Sequence, residues 1–391
     1  MPTRPCWVEI HTRSLEENYR FLLSLAAGQA ELLAIVKADA YGHSLELCAP
    51  AVVRSGARWL GVASVEEGVA ARTLCPEARI LVIGGVFPGQ GQALIDHSLT
   101  AVVWQLGQLN ELESTARASG VQAAGLPVHL EIDTGMSRQG TSPESLGPVL
   151  ARFGAGSPLK LDGVMTHLFA ADELDGAATG AQFDRLDEAL NRIEAAGLNA
   201  DWLNVGNSAA LLSGEAARIA ALAGRHGMKA MLRPGLALYG LAPNFEPEEP
   251  EGLGKARAAL QPVLSWKTEV VSVRTIPAGA VVGYNGTFVA TEPMRLALLA
   301  VGYGDGLDRK LGNNFSLLVR GERAPVVGRI SMDQTVLDVT QIAGVEAGDE
   351  VVILGTQGAE TITAFDHAEA ASTIPWEVFT RIAARVRRVA V

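Results

Sequence analysis

Short apolar runs alternate with charged stretches over the first 240 residues. The runs have the length and composition of strands buried on both faces. The stretches between them, such as residues 181–197, repeat apolar residues every three or four positions, which is typical of helices. Eight such units predict a TIM (β/α)8 barrel, a fold that takes about 250 residues. The predicted strands lie within residues 31–39, 59–64, 79–85, 100–104, 127–135, 161–168, 200–208 and 228–235.

The pattern changes after residue 245. Residues 243–255 are rich in Pro, Glu and Gly and predict a linker or a surface excursion. Short β-rich runs separated by turns follow, among them residues 265–276 and 349–355, and they predict a mostly antiparallel β domain. We therefore predict a barrel over residues 1–245, with its first ten or so residues as a candidate strand of the β domain, and the β domain over residues 246–391.

Composition narrows the class of protein. Of the 391 residues, 48% are hydrophobic and 19% are charged, which indicates a globular chain and not a disordered one. A formal net charge of −11 argues against nucleic acid or an anionic membrane as partner. Cys6, Cys48 and Cys75 form no CxxC pair, so neither a disulfide framework nor a zinc site is expected. With no signal-like segment and no apolar run of about 18 residues, the expected location is the cytoplasm.

Several catalytic motifs are absent from the sequence. It contains no P-loop, no zinc-protease HExxH, and no G-x-G-x-x-G loop of the kind expected in a doubly wound open sheet, which is the alternative fold. Its seven histidines lack metal-ligand spacing, so no metal is expected. Lys37 directly follows the apolar run LLAIV, at the strand end where barrel enzymes have their active sites. A desolvated lysine there can form a Schiff base or exchange protons, although a strand-end lysine can also simply extend into solvent.

Tyr41 and His43 follow Lys37 within VKADAYGH (36–43). This segment resembles the lysine segment of the alanine racemase family, whose lysine binds pyridoxal phosphate (PLP). Eight further segments resemble the same family in the same order, so the similarity covers nearly the whole chain. They are HLEIDTGMSRQG (129–140), VMTHLFAAD (164–172), GNSAALL (206–212), RPGLALYGL (233–241), GYNGTF (283–288), GYGDG (302–306), GRISMDQ (328–334) and IPWE (374–377).

The resemblance implies a fold, a reaction and an assembly. The fold is an N-terminal barrel followed by a β domain, and the assembly is a head-to-tail homodimer with shared active sites. The implied protein is a PLP-dependent isomerase that interconverts L- and D-alanine by a two-base mechanism. Its product D-alanine would supply cell-wall peptidoglycan.

Roles for residues of the barrel follow from the resemblance. Lys37 is the covalent attachment point for PLP and one of the two bases. Arg233 faces the ring nitrogen, and since arginine stays protonated, that nitrogen would stay unprotonated. His167 lies beside the ring, and Arg138 contacts both the phenolic oxygen of PLP and the substrate. The implied phosphate ligands, two of which also fit an ordinary helix N-cap, are Tyr41, Asn207, Ser208, Gly235 and Leu236.

The other subunit supplies the remaining roles. By resemblance, Tyr284 of the second subunit is the opposite-face base, and racemisation requires two such groups because one removes the proton and the other returns one. Tyr303 guards the entrance and Met332 lies near the substrate carboxylate. Asp333 is implied as a supporting residue. The alternative interpretation of residues 328–334 is a β-domain turn without a catalytic part.

The sequence departs from the family pattern at two positions. Glu131 stands where many members have a lysine that is carbamylated and orients the arginine matching Arg138. Because Glu131 is already an anion, we expect it to replace that group without CO2, the alternative being a solvent-facing glutamate. Ala384 stands where the family pattern has a tyrosine that contacts the PLP phosphate. We therefore expect a wider substrate pocket, with serine racemised alongside alanine.

The sequence leaves two other functions to consider. A non-catalytic PLP-binding barrel lacks a second domain, so the residues after the linker argue against it. A PLP-dependent decarboxylase also pairs a barrel with a β domain, but the RPG, GRISMDQ and GYNGTF segments favour a racemase, of alanine or of broader specificity.

Overall fold

Eight parallel strands close into a barrel in the computed structural model, which describes residues 4–173, 176–245 and 252–391. The first barrel strand pairs with the last, with Ala30 opposite Ala230 and Leu32 opposite Leu232, so the sheet has no free edge. The predicted barrel is confirmed. Its strands are Ala30–Ile35, Trp59–Val62, Arg79–Val82, Thr100–Val103, Leu126–Glu131, Leu159–Met165, Trp202–Asn204 and Lys229–Leu232.

The barrel strands are apolar because both of their faces are covered. Every residue of Trp59–Val62 and Thr100–Val103 is buried. Helices alternate with the strands along the chain, and polar caps begin several of them, as Ser64 does for Val65–Leu74. The helices are Thr12–Leu25, Leu45–Arg54, Val65–Leu74, Gly91–Asp96, Leu106–Ala118, Pro143–Leu150, Ala177–Ala195, Ser208–Leu212, Ala216–Arg225 and Leu253–Ala259, with 3-10 turns at Ala151–Phe153 and Leu236–Tyr239.

The second part of the fold is a nine-stranded sheet with a separate two-stranded hairpin. Leu264–Ile276 is its central strand and pairs antiparallel with Cys6–Ile10, Met294–Leu299 and Glu350–Gln357. One pairing, between Cys6–Ile10 and Arg387–Ala390, is parallel. The prediction of a mostly antiparallel sheet is confirmed. The other strands are Val281–Val282, Phe288–Val289, Ser316–Val319, Glu322–Pro325, Thr335–Asp338 and Glu360–Ile362, and the helices and 3-10 turns are Tyr284–Gly286, Tyr303–Asp305, Arg309–Leu311, Ala364–Ala371 and Pro375–Thr380.

Contacts divide the chain into two units. The barrel unit comprises Arg13–Ala40 and Cys48–Gln261, and the second unit comprises Tyr41–Leu47, Pro262–Val391 and the N-terminal segment up to Thr12.

Residues 252–261 belong to the barrel unit, although the sequence pattern assigned them to the β domain. The Asn18 side chain explains the difference, because its amide donates to the carbonyl of Gln261 at 2.8 Å and its oxygen accepts from the Gln261 N–H at 2.8 Å. The middle of the predicted linker, residues 246–251, lies outside the described residues.

The three cysteines are buried, and none of them forms a disulfide. In the part of the chain that the structure describes, no helix has the length and apolar character needed to cross a bilayer. The same described ranges contain no group of three or more His, Cys, Asp or Glu side chains placed to hold a metal ion.

Candidate active site

Polar side chains collect where the barrel strands end. Because the strands are parallel, their carboxyl ends meet at one face, which is the face that carries the active site in barrel enzymes. The structure brings four predicted residues together there, along with one that the sequence analysis did not single out. These residues are Lys37 after Ala30–Ile35, Glu131 at the end of Leu126–Glu131, His167 after Leu159–Met165, Asn204 at the end of Trp202–Asn204, and Arg233 after Lys229–Leu232.

Lys37 begins a short left-handed turn. The four residues 38–41 all have φ between 53° and 55°. This conformation costs free energy in residues other than glycine, because Cβ comes close to the following carbonyl oxygen. The turn includes a main-chain hydrogen bond of 2.9 Å from the Ala40 N–H to the carbonyl of Val36. The lysine therefore stands at the entry to an unusual and well-defined backbone turn.

The charge on Lys37 is controlled by its surroundings. Burial lowers the pKa of the half-buried amine, and the positive charges of Arg138 and Arg233 lower it further, while Glu67 acts in the opposite direction. An amine whose pKa is lowered is more often unprotonated at neutral pH, which is the form that attacks a carbonyl group. The environment of Lys37 thus favours covalent chemistry.

Arg233 is 5% exposed and is fixed by oxygen acceptors. Its Nη1 donates to the carbonyl and to Oδ1 of Asn204, at 2.8 and 2.6 Å, and its Nη2 donates to the carbonyl of Thr166 at 2.9 Å. Burial lowers the pKa of Arg233 to about 10, so the guanidinium is still protonated at neutral pH. It is a rigid donor that cannot accept a proton from a partner.

His167 lies next to Arg233 as a neutral ring. Its Nδ1 is 3.1 Å from Nη2 of Arg233, and because the guanidinium can only donate, Nδ1 is the acceptor. Burial lowers the pKa of His167 to about 3, with added contributions from Arg233, Arg138 and Lys37. The imidazole therefore bears its proton on Nε2. A neutral ring thus accepts a hydrogen bond from a fixed cation.

Glu131 is buried, with 2% of its surface exposed, so it is not a solvent-facing glutamate. Its Oε2 accepts a hydrogen bond of 2.6 Å from Nε2 of Gln139. Burial raises the pKa of Glu131, whereas Gln139, Arg233 and Arg138 favour the ionised form. Arg138 itself is exposed, and it acts on its neighbours through its charge. The structure thus places an acid at the site, and the hydrogen bond that this acid accepts comes from the side-chain amide of Gln139.

Two of the segments predicted to bind phosphate, residues 206–212 and 233–241, lie together. The hydroxyl oxygen of Ser208 accepts from the N–H groups of Gly235 and Ala237, at 3.0 and 3.2 Å. Asn207 is the N-cap of Ser208–Leu212, where its side chain accepts from the Ala210 N–H at 3.1 Å. Leu236 is buried beside them in the 3-10 turn. The N-cap interpretation is therefore confirmed for Asn207, and the serine connects two predicted phosphate-binding segments.

The chemistry of these residues fits PLP. The cations Lys37, Arg138 and Arg233 act on one another and on the buried Glu131 at this face, and such a group of cations suits a phosphate-bearing cofactor. Nδ2 of Asn204 is buried and has no hydrogen-bond partner among the described residues. An amine of lowered pKa, a positive face and a free buried donor together suit an anionic aldehyde cofactor.

Tyr41 belongs to the second unit. Burial raises the pKa of Tyr41 to about 12, so the phenol remains protonated and can donate a hydrogen bond. The next residue must be glycine, because Gly42 has φ +78° and a Cβ there would lie 2.3 Å from the carbonyl oxygen of Phe379. Ala384 is exposed and lies in the turn after the helix Pro375–Thr380. Its effect on substrate range stays a prediction.

Tyr303, Met332 and Asp333 lie on two adjacent loops of the second unit. The Tyr303 N–H donates to the carbonyl of Ser331 at 3.0 Å, and the Gly304 N–H donates to that of Met332 at 2.8 Å. Tyr303 and Met332 are 43% and 54% exposed, so both side chains are available to a ligand.

An ion-pair network supports these two loops. The buried carboxylate of Asp305 accepts from the Gly302 N–H at 2.9 Å and from Nε of Arg385 at 2.8 Å, and it also pairs with Arg4. Asp333 accepts from Nη2 of the same Arg385 at 2.6 Å. Asp333 thus has the contacts of a supporting residue.

Tyr284 lies in the 3-10 turn Tyr284–Gly286. The turn connects the two strands of the hairpin, Val281–Val282 and Phe288–Val289, which pair antiparallel. The side chain is 66% exposed. A fixed hairpin therefore presents the phenol outward.

Sequence reasoning missed two polar residues of the barrel site, Asn204 and Gln139. Asn204 fixes Arg233, and Gln139 binds Glu131. A signal existed for the asparagine, since it is the polar residue that ends an apolar strand. No local pattern distinguishes Gln139, because its importance comes from the burial of Glu131.

Two family models match the chain in succession. The one described as "Alanine racemase, N-terminal domain" matches residues 10–243, and the one described as "Alanine racemase, C-terminal domain" matches residues 263–390.

Individual proteins are similar over the full chain. An alanine racemase from Halothermothrix orenii is 35% identical over 386 residues, which is 99% of this chain and 97% of that protein. The crystal structure of alanine racemase from Streptomyces lavendulae has a TM-score of 0.89 at 33% identity and covers 100% of this chain and 98% of its own. An alanine racemase from Bartonella henselae with covalently bound pyridoxal phosphate has a TM-score of 0.83 at 24% identity and covers both chains fully, which is a likeness of fold.

Proposed function

The chain belongs to the alanine racemase family, and on this premise we propose how its own residues bind the cofactor and move the substrate proton. The protein is a PLP-dependent isomerase that interconverts L- and D-alanine. One observation carries the proposal for the site. Lys37, with its lowered pKa, opens a defined turn at the barrel face where Arg138 and Arg233 also act.

The residues that would hold PLP divide between its two ends. Lys37 would bind the aldehyde carbon, Arg138 would contact the phenolic oxygen and Arg233 the ring nitrogen, with His167 beside the ring. The phosphate ligands in this proposal are Tyr41, Asn207, Ser208, Gly235 and Leu236. When bound, PLP supplies an electron sink that makes the Cα proton of an amino acid removable.

Arg233 directs the outcome toward racemisation. Its guanidinium is held by Asn204 and Thr166 and keeps its own protons at neutral pH, so the ring nitrogen that it would face stays unprotonated. A ring that is not fully protonated withdraws electrons less strongly. This favours rapid return of the proton to Cα over transfer of the amino group.

Two bases on opposite faces of the substrate would exchange the proton. Lys37 acts on one face, and Tyr284 of a second subunit acts on the other. In the assembled site His167 would connect Arg233 to Tyr284. Tyr303 and Met332 from the same second subunit would border the substrate. The proposed active unit is therefore a homodimer with shared sites.

The wider role that we propose is the supply of D-alanine for cell-wall peptidoglycan in the cytoplasm. Three buried cysteines that form no disulfide support a reducing compartment.

Isotope exchange tests the proposed reaction. In D2O, L-alanine and D-alanine should each take up deuterium at Cα and give the other enantiomer without release of CO2. Release of CO2 with retention of one enantiomer would indicate a decarboxylase and contradict the proposal.

A further inference from the structure

Glu67 connects the ends of two neighbouring barrel strands. Its Oε1 accepts a hydrogen bond of 2.8 Å from the N–H of Ala38, the residue directly after Lys37. Its Oε2 accepts a hydrogen bond of 2.7 Å from the N–H of Ala63, directly after Trp59–Val62. One carboxylate thus uses both of its oxygens to bind the backbone beside Lys37.

The position of Glu67 is itself fixed. It lies in the first turn of Val65–Leu74, where its own N–H donates to Oγ of the N-cap Ser64 at 3.3 Å. The next residue, Gly68, holds the helix close to its neighbours, because a Cβ there would lie 2.8 Å from Cδ1 of Leu99. The carboxylate is therefore presented by a rigid helix start.

The backbone beside Lys37 needs such support. Ala38 is the first of four residues with positive φ, none of which is glycine. An unpaired N–H at this point would let the segment relax toward an ordinary right-handed conformation and would move the lysine side chain. The hydrogen bond from Glu67 holds the first peptide of the turn in place.

The charge of Glu67 also acts on the site. Arg138 and Arg233 lower the pKa of Lys37, and Glu67 is the acid that opposes them. The same side chain therefore orients Lys37 through the backbone and moderates the positive field around it.

We propose that Glu67 is a positioning residue for Lys37, which fixes the left-handed turn and balances the cations at the barrel face. This proposal rests on the proposed role of Lys37 as the residue that binds PLP.

The test compares Glu67→Gln with Glu66→Gln in the PLP-loaded protein. Glu66 is the preceding residue of the same helix turn, is exposed, and accepts a hydrogen bond of 2.8 Å from Gln90, so its variant matches the change in charge away from Lys37. We expect Glu67→Gln to lower kcat/KM by about tenfold or more, because the reacting group is misplaced. The pH midpoint of the visible absorption of bound PLP should fall by on the order of one unit, because loss of an anion disfavours the protonated nitrogen. Hydroxylamine should release PLP faster.

Two outcomes decide the proposal. If Glu67→Gln matches Glu66→Gln in both the spectral midpoint and the hydroxylamine rate, the proposal is wrong. If Glu67→Gln does not fold, Glu67→Asp replaces it. This variant keeps the charge but shortens the reach, so it should retain the midpoint and still release PLP faster. A wild-type release rate in Glu67→Asp would contradict the proposal. The role of Lys37 is tested separately, since its failure would appear as PLP that stays covalently bound in Lys37→Ala.

Discussion

Two arginines at the barrel face differ in what holds them. Arg233 is buried and makes hydrogen bonds to Asn204 and Thr166, whereas Arg138 is exposed. Replacing Arg233 leaves buried acceptors without donors. Among the described residues, replacing the exposed Arg138 leaves no buried acceptor without its donor. Variants at the two positions can therefore distinguish loss of structural support from loss of contact with a ligand.

We expect Arg233→Met to lower the free energy of unfolding by about 3 kcal/mol, as is usual when one partner of a buried hydrogen-bonded network is removed. Arg138→Met, the matched control, should change it by less than about 0.5 kcal/mol and mainly reduce activity. Urea denaturation of both variants measures the difference. Equal losses of stability would show that the hydrogen bonds of Arg233 do not stabilise the fold.

The proposed bases give a second prediction at this scale. Lys37→Ala should abolish activity and the visible absorption of covalently bound PLP. Tyr284→Phe should keep the absorption but slow Cα exchange far more for one enantiomer than for the other, because each base serves one face of the substrate. Deuterium exchange measured separately from L- and D-alanine checks this. A small and equal loss from both enantiomers would argue against Tyr284 as a base.

The third prediction concerns Glu131. Because it is a buried carboxylate joined to Gln139, it can supply negative charge near Arg138 without CO2. Activity should therefore be unchanged when bicarbonate is removed from the buffer. Glu131→Gln, which keeps the size and removes the charge, should lower kcat/KM by about tenfold, equivalent to roughly 1.4 kcal/mol of transition-state stabilisation. A strong bicarbonate requirement in the wild type would contradict the substitution.

At the scale of elements, His226 joins two helices of the barrel unit. It follows Ala216–Arg225, and its ring nitrogens lie 2.9 Å from Oδ1 of Asp187 and 2.7 Å from Oε1 of Glu194, both on Ala177–Ala195. Burial alone would lower the pKa of His226, but the two carboxylates outweigh it and raise the pKa. In its protonated form the ring donates to both carboxylates and connects the two helices.

The stability that His226 contributes should depend on pH. Because its folded-state pKa is raised, the contribution is fully present below the unfolded value of about 6.5 and is lost as pH rises through the folded value. We expect His226→Gln to cost about 1 kcal/mol at pH 6 and less at pH 9. Urea midpoints at both pH values test this. The wild type, measured at the same two pH values, is the control.

At the scale of the whole molecule, the proposed function requires two chains for one site. Lys37 lies in the barrel unit and Tyr284 in the second unit. If each site combines Lys37 of one chain with Tyr284 of another, two inactive variants can complement each other.

Mixing Lys37→Ala with Tyr284→Phe should restore roughly a quarter of wild-type activity, because half of randomly formed dimers are hybrids and each has one intact site of two. Activity measured after unfolding and refolding the mixture, with each variant alone as control, gives the result. Proven subunit exchange without any recovery would contradict the shared site.

The barrel and the position of Lys37 can be predicted from the amino-acid sequence alone. Strands covered on both faces must be almost entirely apolar, so runs such as residues 59–64 are visible without any tertiary information. The place of Lys37 at a strand end follows from chain order, because parallel strands all end on the same face. The mostly antiparallel sheet was equally evident from the change of pattern after residue 245.

Tertiary structure alone decided the charges and the supports. Arg233 and His167 are 66 positions apart, yet their contact and burial keep one a cation and the other neutral. The burial of Glu131 and the addition of residues 252–261 to the barrel unit depend likewise on distant partners. Periodicity along a chain reports which face of an element is buried. Hydrogen bonds and pKa values are set by groups that meet only after folding, and no local pattern encodes them.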